Sequence, residues 1–280
     1  MALMLSYRSF LVIPLAILLC CKDSVLKPFT ENGLWGFKDA DGNIRIEAKY
    51  DDTGTFSKGL ARVRLGNILT GKYGFINTKG EEVITLKYDY VEEFSEGLVL
   101  VRLNGKYGFI NPKGEVVIPL KFDNAGSFSN SLALVNRDGN KSFINTKGEE
   151  LISLAEYDVA GIFSEGLAWV GISDTGSQKY GFINPKGEVV IPIRYDDVGD
   201  FTEGLAWVGI GDPGKRKYGF INPKGEVVIP FKYSPVEGVS QFKDGLAFVI
   251  FNGQWGFIDK SGNEYWTEDE GKARRQMKNR

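Results

Sequence analysis

The chain has 280 residues, of which 42% are hydrophobic and 25% are charged, with 34 basic and 36 acidic side chains, two cysteines and no histidine. This composition is typical of a globular protein, because it offers enough apolar area to offset the entropy lost on folding. The net charge of −2 argues against nucleic acid as the main partner, and the absence of histidine excludes Ser-His-Asp triads and histidine metal sites.

The first twenty residues have the pattern of an export signal. One charged residue, Arg8, precedes the apolar run 10–19, which is too short to span a bilayer comfortably. The run ends in two cysteines and so resembles a bacterial lipoprotein signal, in which the peptide is cut before a cysteine that receives a lipid. The small residue before Cys21 favours it over Cys20 as the lipidated residue. We expect residues 1–20 to be removed and the mature protein to be membrane-anchored, with plain secretion or an uncleaved anchor as the alternative.

One sequence unit is repeated along the rest of the chain. An aromatic-Gly-Phe triplet recurs every 34 to 39 residues, and the fourteen-residue string KYGFINPKGEVVIP occurs three times unchanged. The triplets begin at Trp35, Tyr73, Tyr107, Tyr180, Tyr218 and Trp255, with a degenerate copy at Lys141-Ser142-Phe143. A fixed period of this length indicates stacked supersecondary units. We predict seven units over residues 25–267.

Each unit is predicted to be a three-stranded β-meander. In the third unit, strands are expected at 98–103, 106–110 and 115–118. Asn104-Gly105 predicts a two-residue type I′ hairpin, because both central residues need positive φ, and the Asn-Pro-Lys-Gly segment 111–114 predicts a type I turn. The third strand contains consecutive apolar residues, so we expect both of its faces to be covered.

One unit cannot hide its hydrophobic faces alone, so neighbouring units are expected to cover them. The triplet phenylalanines are then core residues rather than a sugar-binding stripe. These residues are Phe37, Phe75, Phe109, Phe182, Phe220 and Phe257.

The repeat resembles the WG (KWG) repeat family, which is widespread in bacteria and frequent in exported proteins of unassigned function. The resemblance rests on the [WY]-G-F-I-[ND] core, the Lys-Gly-Glu turn and the F-[ST]-x-G-L-A-x-V segment, and it covers residues 26–266. Three positions depart from the pattern: Ser142 and Ser131 replace glycine, and Lys38 replaces isoleucine. These departures mark either a locally different surface or drift.

Seven units of this length favour a seven-bladed β-propeller-like fold, with an open β-solenoid as the alternative. Seven is a common number of blades. The open stack is supported by the first and last hairpins, which are irregular in the way that capping units are.

Several motifs that suggest ligands are better explained as turns. The segments 66–72 and 209–215 approach phosphate-loop patterns, but they lie in hairpin loops and no helix follows them. Segment 39–43 hints at a calcium loop but aligns with a turn in other units. Three pairs of carboxylates recur at equivalent linker positions, where turn-forming hydrogen bonds explain them better than catalysis. These pairs are Asp51-Asp52, Glu92-Glu93 and Asp196-Asp197. We therefore expect no cofactor, no metal site and no catalytic residue.

One candidate binding patch remains. The hairpin loops 65–71, 172–178 and 210–216 are longer than the Asn-Gly version, and all three are expected on the same side of the assembly. The last two adjoin each other, next to two tryptophans at equivalent positions of neighbouring units. These tryptophans are expected to form either one exposed platform or a larger version of an interstrand contact. The patch comprises Trp169, Asp174, Gln178, Trp207, Asp212, Lys215 and Arg216.

These observations lead to one expected function and one alternative. We expect a non-enzymatic, membrane-anchored protein of the bacterial cell envelope that acts as a protein-interaction scaffold. The alternative is a carbohydrate- or peptidoglycan-binding module, which needs exposed aromatic rings. The partner is then an unknown protein or glycan rather than nucleic acid, and the charged tail 268–280 is expected to be a solvated terminus.

Overall fold

The computed structural model describes residues 26–174, 176–234 and 239–267, which form 26 β-strands without a helix. This confirms the prediction of an all-β fold. In that part of the chain there is accordingly no helix that could span a membrane. The predicted signal peptide, with Cys20 and Cys21, and the charged tail 268–280 lie outside the described residues.

The strands form seven antiparallel sheets that follow one another in chain order, one for each predicted unit. The first and seventh sheets have three strands, as predicted, whereas the five sheets between them have four. The additional strand is a two-residue piece of the linker. In the third sheet it is Tyr90–Val91, which pairs with Arg102 and Val101. The three-stranded prediction is therefore wrong for these five sheets, because the linker returns to the edge of the hairpin that follows it.

The strand bounds repeat from unit to unit. The first three sheets contain β1 Lys27–Glu31, β2 Leu34–Lys38, β3 Ile44–Tyr50, β4 Asp52–Thr53, β5 Leu60–Leu65, β6 Lys72–Asn77, β7 Glu82–Tyr88, β8 Tyr90–Val91, β9 Val99–Leu103, β10 Lys106–Ile110 and β11 Val116–Phe122. The next two contain β12 Asn124–Ala125, β13 Leu132–Arg137, β14 Asn140–Asn145, β15 Glu150–Ser153, β16 Val159–Ala160, β17 Ala168–Asp174, β18 Ser177–Ile183 and β19 Val189–Tyr195. The last two contain β20 Asp197–Val198, β21 Ala206–Ile210, β22 Lys217–Ile221, β23 Val227–Tyr233, β24 Leu246–Phe251, β25 Gln254–Asp259 and β26 Glu264–Thr267.

The hairpins close with the turns that the sequence predicts. In the third sheet, Asn104 and Gly105 have φ angles of 53° and 77°, the left-handed pair that a type I′ turn requires. After the second main strand, the Gly114 N–H donates to the Asn111 carbonyl (2.9 Å). The side-chain carbonyl of Asn111 also accepts a hydrogen bond from the Glu115 N–H (3.0 Å), which explains why asparagine or aspartate begins this turn.

Each linker contains a further turn that the sequence analysis did not predict. In the third unit, Ser95 and Leu98 exchange backbone hydrogen bonds of 2.8 and 3.0 Å around Glu96 and Gly97. Both central residues have positive φ, 51° and 84°, so this is a second left-handed two-residue turn. Ser131, which replaces glycine in the next linker, is held at φ 63°.

The third main strand of each regular unit is exposed on one face, so the expectation that both faces are covered is wrong. In β11, Val117 (40% exposed) and Pro119 are exposed on one face, whereas Ile118 and Phe122 are buried on the other. The strand also continues to Phe122, past the predicted end at residue 118. An apolar run does not reveal that a strand lies at the edge of its sheet, because edge strands still need one apolar face.

The glycine of the triplet is required because this outer strand passes directly over it. β11 bulges at that point, since Tyr107 pairs with Phe122 whereas Phe109 pairs with Ile118. A Cβ atom on Gly108 would lie 2.7 Å from the Ile118 carbonyl oxygen, closer than side-chain carbons approach. The triplet glycines of units 1, 2, 5 and 6 have the same contact at 2.3 to 2.5 Å.

The hydrophobic core of the described residues consists of six clusters, each formed between two consecutive sheets. Between the third and fourth sheets, Phe109 of the triplet packs against the linker residue Phe128, with ring centroids 4.7 Å apart. Leu100 from one sheet and Val135 from the other belong to the same cluster. The six triplet phenylalanines are at most 3% exposed, which confirms that they are core residues. Each of these six junctions therefore supplies one cluster of the core.

Aspartates at the start of the linkers connect consecutive units. Asp89 accepts a hydrogen bond from the Asn104 N–H (2.8 Å) in the hairpin loop of the third unit and forms an ion pair with Lys72 of the second. Asp123 makes the same two kinds of contact one unit later. The lysine hydrogen bond, followed by the backbone N–H, holds the pKa of each carboxyl below its usual value.

We expect Gly108→Ala to lower the free energy of unfolding by about 2–3 kcal/mol, because the new Cβ forces the outer strand away. Urea denaturation measures the effect. Ser142→Ala is the matched control, since unit 4 already accommodates a Cβ at this position, and it should change stability by less than about 0.5 kcal/mol. Equal losses in the two variants would contradict the explanation.

We expect Asp89→Asn to destabilise the protein at neutral pH and to have a smaller effect near pH 3. A carboxyl whose pKa is lowered by folding stabilises the folded state above its unfolded pKa of about 3.9. That contribution is lost as the pH falls through the folded pKa. Urea denaturation at the two pH values tests this. Asp138→Asn, whose carboxylate is 74% exposed, is the control, and a loss for Asp89→Asn that does not depend on pH would refute the linkage.

Candidate functional site

The loops that join the first two main strands of each sheet form one surface, which we call the hairpin-loop face. Because the sheets are copies of one meander, these loops leave the sheets at equivalent ends. The face comprises the loops 32–33, 66–71, 104–105, 138–139, 211–216 and 252–253, and the hairpin end between residues 174 and 177.

The loop 66–71 displays two apolar side chains on an ordered backbone. The Asn67 side-chain carbonyl accepts hydrogen bonds from the Leu69 N–H (2.8 Å) and the Thr70 N–H (3.0 Å), which fixes the turn. Ile68 and Leu69 are 81% and 90% exposed, far more than the other large hydrophobic residues of the described chain. Exposed apolar pairs on a fixed loop are typical of interaction sites.

The tips of the fifth and sixth hairpins carry exposed polar residues from the predicted patch. In the fifth hairpin the strands extend further than expected, so that Asp174 pairs with Ser177 at the tip. Gln178 is half-buried, and its side-chain carbonyl accepts a hydrogen bond from a neighbouring tyrosine hydroxyl (2.9 Å). Asp212 and Lys215 are exposed at the tip of the sixth hairpin. These residues are accessible, although they are spread over two loops.

Arg216 folds back onto its own sheet instead of projecting from the loop. Its guanidinium contacts the Asp197 carboxylate (3.1 Å) and donates to the Gly211 carbonyl (3.3 Å). The same carboxylate accepts a hydrogen bond from the Tyr218 hydroxyl (2.8 Å). Burial, and then the neighbouring carboxylate, raise the pKa of Tyr218. Arg216 therefore stabilises the loop base.

The two tryptophans do not form one platform. Trp169 packs in the cluster between the fifth and sixth sheets and Trp207 in the cluster between the sixth and seventh, so the sixth sheet separates them. Both are half-buried, and each covers a linker glycine, Gly161 or Gly199. The Trp169 indole N–H also donates to the Asp200 carboxylate (3.0 Å). Each tryptophan thus makes a larger version of the interstrand contact that other units have at this position. This is the second of the two arrangements that the sequence allowed.

The tryptophans are also distant from the loop tips. Trp169 and Asp174 lie five residues apart on β17, which is about 17 Å along an extended strand. The predicted patch therefore separates into tip residues on the hairpin-loop face and aromatic residues in the gaps between sheets.

The remaining motifs have the turn roles that the sequence analysis favoured, except for Glu92-Glu93. This pair lies later in its linker than the other two pairs, and Glu92 accepts hydrogen bonds from the Tyr90 and Ser127 hydroxyls instead of holding a turn. Residues 209–215 lie in the hairpin between β21 and β22. Asp39 accepts hydrogen bonds from the Asp41 and Asn43 N–H groups (3.0 and 2.9 Å) within one turn. Asp196 accepts from the N–H of a loop glycine (2.9 Å), as its counterparts in other linkers do. Among the described residues, no group of histidine, cysteine or acidic side chains has a metal-binding arrangement.

The fold is similar to that of proteins with propeller-like architecture. A crystal structure of a eukaryotic initiation factor matches over 87% of this chain and 74% of its own, with a TM-score of 0.55 and 11% identity. Hsv2 of Kluyveromyces lactis matches over 88% of this chain and 94% of its own, with a TM-score of 0.46 and 10% identity. A variant of that Hsv2 with loop 6CD replaced by a Gly-Ser linker has a TM-score of 0.49. At this identity the likeness to the initiation factor, the one structure of the three with a TM-score above 0.5, concerns the fold alone, and it agrees with the predicted propeller-like fold.

Comparison with curated protein sequences finds no significant match. The model of the WG containing repeat, in contrast, matches six consecutive segments, each running from one triplet towards the next. The segments are 35–67, 73–107, 107–140, 142–174, 180–212 and 218–255. Because these segments cover most of the sequence, the chain belongs to the family of WG containing repeat proteins.

Proposed function

We propose that this repeat protein is a non-enzymatic binding scaffold that presents the hairpin-loop face to a protein partner. The observation that carries the proposal is the pair Ile68 and Leu69, which are 81% and 90% exposed on the ordered loop 66–71. Leaving two large aliphatic side chains in water forgoes about 1.5–3 kcal/mol for each of them. A partner that buries them recovers this free energy without having to order the loop.

The division between core and loops supports the same proposal. The buried positions of the units are nearly identical, whereas the loops of the hairpin-loop face differ in length and charge. Loops on a rigid repeated scaffold are where binding surfaces are usually built. Asp51 and Asp196 accept hydrogen bonds from hairpin-loop N–H groups. Glu92 accepts hydrogen bonds from the Tyr90 and Ser127 hydroxyls. The proposal assigns the carboxylate pairs no catalytic role.

We further propose that the protein is an exported lipoprotein of the bacterial cell envelope, anchored through Cys21 or Cys20. The chain enters the first sheet at Lys27, and β1 runs from there towards the hairpin tip at Asn32. Lys27 thus lies at the end of the first sheet that is opposite its hairpin tip. Export without a lipid anchor is the alternative localisation.

Binding of carbohydrate or peptidoglycan remains the alternative function. It was expected to use exposed aromatic rings, of which Trp169 and Trp207 were the candidates. Because both are half-buried in separate gaps, they offer this alternative less support than the apolar loop offers to a protein partner.

The scaffold proposal is tested by replacing loop 66–71 with Asn-Gly, the loop that the third unit carries at the same place. We expect the variant to fold normally by circular dichroism, since the two-residue turn fits the same strands. It should lose the partners that the intact protein captures from its native envelope. Changing Asn104-Gly105 to Asp-Gly is the control, and retention of every partner by the loop variant would disprove the role of this loop.

The anchoring proposal is tested by the mass of the mature N-terminus. We expect a chain that begins at Cys21 and carries lipid, and we expect Cys21→Ala to abolish the lipid and release the protein from the membrane fraction. Cys20→Ala is the matched control and should remain anchored. An unmodified N-terminus in the membrane-derived protein would contradict the proposal.

A further inference from the structure

The fourth unit departs from the others at the outer strand. Ser142 occupies the position of the triplet glycine, where a Cβ would otherwise meet the outer strand. The outer strand β15 is correspondingly short, ending at Ser153, and it pairs with Ser142 and Phe143 without the intervening bulge. The segment from Ile152 to Tyr157 is one residue longer than its counterpart from 118 to 122. The backbone that covers the triplet glycine elsewhere is therefore rearranged in this unit.

This rearrangement accompanies a cavity of about 500 Å³ between the third and fourth sheets. Its walls come from the end of β11, the hairpin β13–β14 and the shortened β15 with the residues after it. The volume falls within the range of sites for small organic ligands, roughly 300–1,000 Å³. The side chains that matter for recognition are Lys121, Arg137, Asn140, Lys141, Ser142 and Ser153.

Ser142 provides an unpartnered polar group in the cavity wall. Its side chain lies among buried residues, with 7% of the residue exposed. Within the described part of the chain, its hydroxyl has no hydrogen-bond partner. Solvent in the cavity still reaches this hydroxyl. It is therefore available to hydrogen-bond to a ligand that displaces that solvent.

The cavity also carries positive charge that the fold does not neutralise directly. The equivalent lysines Lys72, Lys106 and Lys179 each form an ion pair with a linker aspartate. Lys141 instead donates to the backbone carbonyl of Asp158. The carboxylate of Asp158 accepts a hydrogen bond from the Ser173 N–H. Lys121 lies over the Phe122 ring at 5.3 Å and has no carboxylate partner among the described residues.

The other charged side chains at the rim change the net positive charge of the cavity little. Arg137 pairs with Asp138 (3.4 Å), and these two charges cancel. Glu150 is the other carboxylate of the lining, and it is exposed to water. Two ammonium groups without ion-pair partners therefore face one solvated carboxylate. This arrangement favours an anion over a cation or a neutral molecule.

We propose that the cavity between the third and fourth sheets binds a small hydroxylated organic anion, of about monosaccharide to disaccharide size. Lys141 and Lys121 contact its carboxylate or phosphate group. Ser142, Ser153 and Asn140 hydrogen-bond to its hydroxyl groups. The proposal does not depend on a protein partner on the hairpin-loop face, because binding of small molecules to the cavity is measured without such a partner.

The test is calorimetric titration of the full chain with glucuronate, with glucose 6-phosphate and with neutral glucose. We expect at least one of the two anions to bind with a Kd below about 10 mM, more weakly at high salt, and glucose not to bind. Lys141→Met should weaken binding by about tenfold or more. Ser142→Ala, which keeps the Cβ that unit 4 already accommodates, should weaken it about threefold to tenfold.

Lys106→Met is the matched control, because this lysine holds the same position in the third unit and is paired with Asp123. It should leave the affinity unchanged. Circular dichroism of all three variants verifies that they fold. The proposal is overturned if neither anion binds up to about 10 mM, if glucose binds as tightly as the anions, or if Lys141→Met and Lys106→Met have equal effects.

Discussion

Contact between the aromatic rings of consecutive sheets is the interaction on which this structure depends. At each of the six junctions, the phenylalanine of the triplet lies against the phenylalanine of the next linker, with centroids 4.7 to 5.0 Å apart. Such a pair contributes about 0.5–1.5 kcal/mol beyond the burial of its area. Since the surrounding clusters also span two sheets, the stability of one unit depends on its neighbours, as expected for a repeat protein. The constant core in turn allows the loops of the hairpin-loop face to vary.

Much of the fold could be predicted because its signals are local or periodic. The triplet defines the unit, Asn-Gly defines the hairpin, and the recurring phenylalanines define the core. The linker strand, the face exposed by β11 and the bulge over Gly108 could not be predicted. They arise from pairing and curvature between strands, whereas the apolar pattern of a sequence reports only that some burial occurs. The linker turn was missed for another reason: its first left-handed residue is Lys or Glu in four of the six described linkers, rather than the Asn or Asp that favours positive φ.

The candidate site was less predictable from the sequence than the fold. Equivalent positions in successive units were expected to adjoin, but the faces of consecutive sheets are separated by the sheets themselves, so Trp169 and Trp207 lie in different gaps. Exposure of Ile68 and Leu69 depends on how Asn67 folds the loop, which composition does not disclose. Ser142 was recognised as a departure from the repeat. That it accompanies a cavity follows only from the register of β15.

The central claim is that a unit is stable only when it lies against the next one. The most direct measurement compares a peptide of residues 88–122, which contains one unit, with a fragment of residues 88–195, which contains three. The account predicts that the single unit is unfolded by circular dichroism and that the three-unit fragment melts cooperatively, with two of the inter-sheet clusters intact. A single unit that is compact, monomeric and cooperatively folded would contradict it.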